Sequence, residues 1–261
     1  MFFRLSSWEL ALILIVVVGG FTVAGVLLGR YLRKHSDTLR EPFGVLQAAL
    51  LGLVGLILAF GLSLAVGRYE ARRAAVVSET NAIGTTYLRA QLLPEPVRSR
   101  SLALLRDYTD LVLRLSHEVP SSPAMRRTIA GEDVIQRQLW RLGGQAVDAS
   151  PVATAPRLYI ETLNDMIDHQ TVRVAALNNR VPGAVLAIEV IGAALALGLL
   201  ALYLAVLGRG LVPMLFAAAL VVSLLLVTFD LDRPTRGVIT VPSTPLESLR
   251  ASMALPPAAR P

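Results

Sequence analysis

The chain contains no cysteine, which excludes disulfides, a thiol nucleophile, thioether-linked haem and thiolate metal sites. Histidine is scarce: His35, His117 and His169 fall in separate segments. Only His169 has a carboxylate, Asp165, one helical turn away, and such a pair reads as a solvated contact rather than a metal site. Lysine occurs once, at Lys34. No serine sits in a nucleophile elbow, no glycine-rich loop opens a phosphate-binding helix, and no paired carboxylates mark a cleft. An enzyme is therefore not expected, and neither is a cofactor or a metal. No segment alternates like a strand between turn signals. Charged residues make up only 17% of the chain, where soluble domains carry about a quarter. The net charge of +6 does not point to nucleic acid, because no nucleic-acid-reading motif occurs and arginines flanking apolar segments account for most of it.

What the chain has instead is apolar length. Hydrophobic residues reach 54%, concentrated in four windows: Leu10 to Gly29, Phe43 to Gly67, Val181 to Leu207 and Leu211 to Phe229. Each is close to or above the roughly 20 residues a helix needs to cross the hydrocarbon of a bilayer. The expectation is an all-α membrane protein with four transmembrane helices. The first window follows Arg4 but is too long for a signal-peptide core and lacks a small-residue cleavage site, so it reads as a retained span. Ser6 and Glu9 form a capping-box pattern at its start, with Trp8 at interface depth.

Between the second and third windows lies a polar insert that proline divides into helical pieces. The first continues the second span to Leu93, where Pro94 to Pro96 ends it. The second runs from about Pro96 to Glu118, with Leu102, Leu105, Tyr108, Leu111 and Leu115 on one face. Ser122 N-caps a third, which has Pro123 at its first position and reaches Ala149. Ser150-Pro151 repeats that start for a fourth piece, whose stripe of Leu163, Ile167, Val174, Leu177 and Val181 leads straight into the third span. The insert is thus a helical bundle. After the last span, Thr244 to Glu247 form another capping box that opens a short helix to about Met253, and the Ala/Pro end reads as disordered. The expected divisions are 1–67 (two spans), 68–180 (insert), 181–229 (two spans) and 230–261 (tail). One face of the membrane collects Arg4, Arg68, Arg72, Arg73, Arg173, Arg180, Arg233 and Arg236, against Arg30, Arg33, Lys34, Arg40 and Arg209 on the other. The positive-inside rule then places the termini, insert and tail in the cytoplasm.

Three features are candidates for function. Asp230 and Asp232 end the fourth span, where a helix C-terminus disfavours carboxylates unless something compensates. They read either as part of a salt-bridge network with the arginines closing span two or as a cation site at the cytoplasmic mouth. Glu189 is the one formal charge well inside a span, which suggests an ion path or proton relay, or else a snorkelling or ion-paired group near the interface. Span two carries two stripes. Gly55, Ala59, Ser63 and Gly67 would let another helix approach closely. Gly52, Leu56, Phe60 and Leu64 would either face lipid or, around an axis, form a hydrophobic neck.

The stretch "FGLSLAVGRYEARR" (Phe60 to Arg73) resembles the second transmembrane helix of bestrophins. "RYEARRAAVVSETNAIGTTYLRAQLLPEP", "ALNNRVP" and "FDLDRPTRG" together resemble the bacterial bestrophin-like membrane family over nearly the whole chain. The resemblance implies a homo-oligomer, pentameric in bestrophins, of the bacterial inner membrane. Span two would line its pore and pass chloride or a monovalent cation. It places Gly52, Leu56 and Phe60 at the neck and Arg68-Tyr69 where bestrophins have Arg-Trp. Arg68, Tyr69, Arg72 and Arg73, with Asp230 and Asp232, would brace subunits or bias the ions at the cytoplasmic mouth. Gly52 stands where bestrophins carry a bulky neck residue, and the acidic run that binds calcium in animal members is missing, so calcium activation is not implied. Lipid is the implied surrounding partner. A non-conducting membrane scaffold or sensor, whose cytoplasmic helices bind a partner, is the alternative.

Overall fold

Proline, capping residues and apolar runs set where the helices begin and end. A computed structural model describes residues 6–33, 40–208 and 212–258, with positions 7 and 40–43 described by backbone alone. Arg4, Lys34, His35 and Arg209, and the side chain of Arg40, belong to the charge pattern read from the sequence and lie outside the described residues. The described residues form eight α-helices and no strand: α1 (Ser7–Leu32), α2 (Arg40–Ala90), α3 (Val97–Leu115), α4 (Pro123–Ala149), α5 (Thr154–Asn178), α6 (Gly183–Val206), α7 (Val212–Leu231) and α8 (Thr244–Ser252). The four apolar windows fall on α1, α2, α6 and α7, which are long and apolar enough to cross a membrane.

Local chemistry explains most boundaries. The capping box at the head of α1 is formed: the Ser6 N–H donates to Glu9 Oε2 at 2.6 Å, and the Glu9 N–H donates to Ser6 Oγ at 3.2 Å. Ser122 caps α4 by accepting the Met125 N–H at 3.0 Å.

Four expected boundaries are corrected. Helix α2 ends at Ala90 rather than Leu93, because Gln91, Leu92 and Leu93 bond back three residues in a tightened last turn. Helix α5 starts at Thr154, because Ser150-Pro151 forms a turn closed by the Ala153 N–H on Ser150 O at 3.0 Å. The fourth insert helix does not run into the third span. Asn179 is extended, and Pro182 disfavours helical backbone at Val181 before it, so α5 stops at Asn178 and α6 begins at Gly183. At α8, Ser243 rather than Thr244 is the N-cap, and its hydroxyl bonds the Glu247 carboxylate at 2.5 Å instead of a helix N–H.

The chain divides into two compact units, Met1–Arg68 with Arg180–Ile239 and Tyr69–Asn179 with Thr240–Pro261. In the first, α1 and α6 run the same way and pack backbone to backbone. A Cβ added at Gly25 would overlap the Gly198 carbonyl oxygen, and one at Gly29 would lie 2.7 Å from Ala205 Cβ. Close approach through small residues is how helices gain contact in lipid, where tails are as apolar as leucine. The first part of α2 lies antiparallel to α6, with Gly44 against Tyr203, Val54 against Gly192 and Gly61 against Glu189.

The second unit is a soluble-type bundle of the rest of α2 with α3, α4, α5 and α8. Its core joins Ile83, Leu105, Tyr108, Val112, Leu139, Tyr159, Leu163 and Met166, all buried. Helix α8 is locked on through Leu246 and Met253, both buried, and through Arg250, which binds Asp110 with two bonds of 2.6 and 3.0 Å. Beyond α8, the Ala258 N–H donates to Gln91 Oε1 at 2.8 Å.

Candidate pore helix and intramembrane carboxylate

Helix α2 presents different faces to the protein and to its surroundings. Val54, Leu58, Gly61 and Ala65 are buried, a 3.6-residue stripe turned toward the first unit's other helices. The candidate neck residues lie roughly opposite: Phe60 is 67% exposed, Leu56 54%, and Gly52 is exposed as well. The small-residue stripe of Gly55, Ala59, Ser63 and Gly67 is also exposed, and a Cβ added at Gly55 or Gly67 would meet nothing within 4 Å. Within one chain neither stripe has a packing partner among the described residues. At about 100° per residue the two stripes are about 60° apart, so one could meet a neighbouring helix while the other faces an axis.

Glu189 is buried on α6, and neither carboxylate oxygen has a hydrogen-bond partner among the described residues. Among the described residues it is paired with no basic side chain. Its carboxylate lies on Gly61, where an added Cβ would overlap Oε1. The absence of a side chain at Gly61 is therefore what makes room for the acid.

Among the charged residues at the ends of the spans, Arg72, Asp230 and Asp232 are bonded to backbone groups. Arg72 is buried and donates to Ala176 O at 3.2 Å and Asn179 O at 2.7 Å, the terminal carbonyls of α5, where a cation also suits the helix dipole. Arg73 is exposed and faces Glu70 at 3.7 Å, while Arg68 and Tyr69 are half-buried. Asp230 and Asp232 receive the compensation that a helix C-terminus requires. Asp230 accepts the Val238 and Ile239 N–H groups at 2.8 and 2.7 Å and pairs with buried Arg233 at 3.2 Å. Asp232 accepts the Val181 N–H at 3.0 Å, securing the backbone before α6. Gly237, at φ +139°, completes the turn around Asp230, whose carboxylate occupies the space a Cβ would need. The motif "FDLDRPTRG" thus builds a turn. Among the described residues, no three His, Asp or Glu gather as a metal cluster.

A buried polar centre in the second unit escaped the sequence reading. Arg173, counted from sequence among the arginines at the span ends, is instead enclosed in the bundle and pairs with buried Glu79 at 2.7 Å. Its Nη2 also donates to Ser116 Oγ at 2.8 Å and Val112 O at 3.1 Å. The Tyr108 hydroxyl accepts from Gln136 Nε2 at 3.2 Å and lies 3.4 Å from Glu79 Oε1; burial, followed by the charges of Glu79 and Glu132, pushes its ionisation well above the usual tyrosine range. Glu132 accepts from Gln170 Nε2 at 3.0 Å, and burial pushes its carboxyl up to about 7. Gln136 also lines a surface pocket of about 450 Å³ with Asp133, Arg137, Trp140 and Ile167. Polar residues such as Glu79, Glu132, Gln136 and Gln170 follow the core-facing helical spacing, and that register was the available signal for this centre.

Four apolar spans and a helical insert define the class, a multi-span α-helical membrane protein. A model of the bestrophin-like domain matches residues 11–246, and the chain belongs to that family. Its fold resembles the bacterial bestrophin homologue from Klebsiella pneumoniae phased by Zn-SAD, with 17% identity, a TM-score of 0.68, and coverage of 92% of this chain and 94% of that one. A mutant of the Klebsiella protein matches with 16% identity and a TM-score of 0.69, over 90% of this chain and 97% of that one. A further mutant chain, described as a membrane protein, matches with 16% identity and a TM-score of 0.70, over 90% and 97%. At these identities the likeness is one of fold. Comparison with curated proteins gave no match.

Proposed function

We propose that the protein is an oligomeric ion channel of the bacterial inner membrane, with α2 lining the pore and the termini, insert and tail in the cytoplasm. The observation that carries this reading is the two-sidedness of α2: Val54, Leu58, Gly61 and Ala65 are buried, while Gly52, Leu56 and Phe60 lie outward and unpacked. Membership of the bestrophin-like family supports the same reading. Several copies around an axis, five by analogy with bestrophins, would pack through Gly55, Ala59, Ser63 and Gly67. They would turn Gly52, Leu56 and Phe60 inward as a hydrophobic constriction that gates by dewetting. The permeant species are small ions, chloride or a monovalent cation. Arg68, Tyr69, Arg72 and Arg73 belong to the cytoplasmic mouth in this arrangement. Asp230 and Asp232 hold the turns that follow α7 and precede α6 within the first unit.

The test is ion flux through purified protein in liposomes, with the oligomer mass fixed first in detergent. Phe60→Ala is expected to raise flux, because the narrowest apolar ring loses its largest side chain. The direction of the potential under a salt gradient then separates anion from cation selectivity. A second reading, a non-conducting scaffold or sensor, draws on exposed Trp140 and the pocket beside it on α4. It predicts no flux with either residue at position 60, and a monomer or dimer without flux would displace the channel reading.

A further inference from the structure

Glu189 stands alone electrostatically. It is the only charged residue of α6; α1 carries none between Glu9 and Arg30, α2 none between Glu41 and Arg68, and α7 none before Asp230. Tyr203, the other titratable side chain of α6, packs against Gly44 at the other end of the α2–α6 seam, about 21 Å along the helix. Among the described residues, no titratable or charged side chain within any of these apolar stretches faces Glu189, and both its oxygens lack a hydrogen-bond donor. The N–H groups of the surrounding helix interiors are committed to their own i→i−4 ladders. An ionised carboxylate left unpaired at this depth would lose its hydration with nothing in return, at a penalty far beyond that of a neutral acid.

We propose that Glu189 is a proton-binding site within the membrane, occupied when the carboxyl rests against Gly61. The ligand is the proton itself. The bare Cα of Gly61 accepts a flat, neutral carboxyl, and a carboxylate must leave that seat to find water or a donor. Proton loss at Glu189 therefore loosens the seam between α2 and α6 at the residue directly after Phe60. This inference concerns the first unit of a single chain and holds whether or not the protein conducts.

The test is infrared difference spectroscopy of the purified full chain in lipid nanodiscs, wild type minus Glu189→Gln. At neutral pH the difference is expected to contain the carbonyl stretch of a protonated carboxylic acid, and raising the pH converts that band to carboxylate. Raising sodium or potassium at constant pH leaves it unchanged. Absence of the acid band at neutral pH overturns the proposal, and so does its removal by a monovalent cation, which would make the site a cation site. Gly61→Ala tests the seat: it is expected to abolish the neutral-pH band. Gly192→Ala, whose Cβ would make an ordinary 3.5 Å contact with Val54 on the same seam, is expected to keep it. A band unaltered in Gly61→Ala overturns the role of the glycine. If that variant does not fold, the wild-type and Glu189→Gln spectra still decide the proton site.

Discussion

At the scale of single residues, the chain keeps its polar groups where the surroundings determine their charge state. In the second unit Glu132 is buried, holds one hydrogen bond from Gln170 and titrates near 7 in place of the ordinary 4.5. Its neutral form is the one that suits the fold. The unfolded chain releases this proton at lower pH, so the associated stability is complete below about 4.5 and declines as pH rises to about 7. Above that it levels off, at a total loss of roughly 3 kcal/mol. Thermal unfolding of the full chain in detergent across this range should show that slope, and Glu132→Gln should flatten it while keeping an acceptor for Gln170. An unchanged slope in the variant would assign the pH dependence elsewhere. Arg173 presents the opposite case, a charge whose partner is as buried as itself. Arg173→Met would leave Glu79 enclosed without its cation and is expected to lower stability by about 3–5 kcal/mol. The same melts measure that loss, and a change below 1 kcal/mol would mean that water reaches Glu79.

At the scale of helices, the sequence made the spans and most of the insert legible, because length, apolar runs, Ser6, Ser122 and Pro123 act locally. It did not reveal which glycines are pressed by neighbours. Span two has the longer small-residue stripe, yet its Gly55 and Gly67 are uncrowded, and the pressed glycines are Gly25 and Gly29 of α1, Gly198 of α6 and, off that stripe, Gly61 of α2. Gly25-x-x-x-Gly29 was a signal in plain view; what it lacked was a partner, which only the arrangement of α1 along α6 supplies. Gly25→Ala should force the two helices apart and lower the melting midpoint, by about 1–3 kcal/mol in stability. Gly19→Ala, whose Cβ would meet nothing within 4 Å, should change stability by no more than about 0.5 kcal/mol. Equal effects at the two positions would mean that α1 and α6 do not pack through Gly25. The break between α5 and α6 was missed for a related reason. Pro182 marked it, but the Asp232 bond to Val181 N and the Arg72 bond to Asn179 O that satisfy the broken backbone join residues distant in sequence.

At the scale of the whole molecule, the exposed stripes of α2 ask for covering that one chain does not supply. Lipid would cover them without bringing copies together, whereas a ring would bring Phe60 of each copy toward the others. The missing cysteines make this difference directly measurable, since one introduced thiol per chain is the only one present. Phe60→Cys in native membranes, treated with a short bis-maleimide, should yield covalent dimers, because an axial position meets its counterpart across a narrow neck. Val54→Cys, on the buried face of the same helix, should remain monomeric under the same treatment. Cross-linking at both positions would indicate random collision, and cross-linking at neither would leave α2 facing lipid. Selective coupling through position 60 would place α2 at the axis before any current is recorded. The flux assay would then have to explain only which ion passes, and the state of Glu189 on α6 would become a question about what packs against a helix known to line the path.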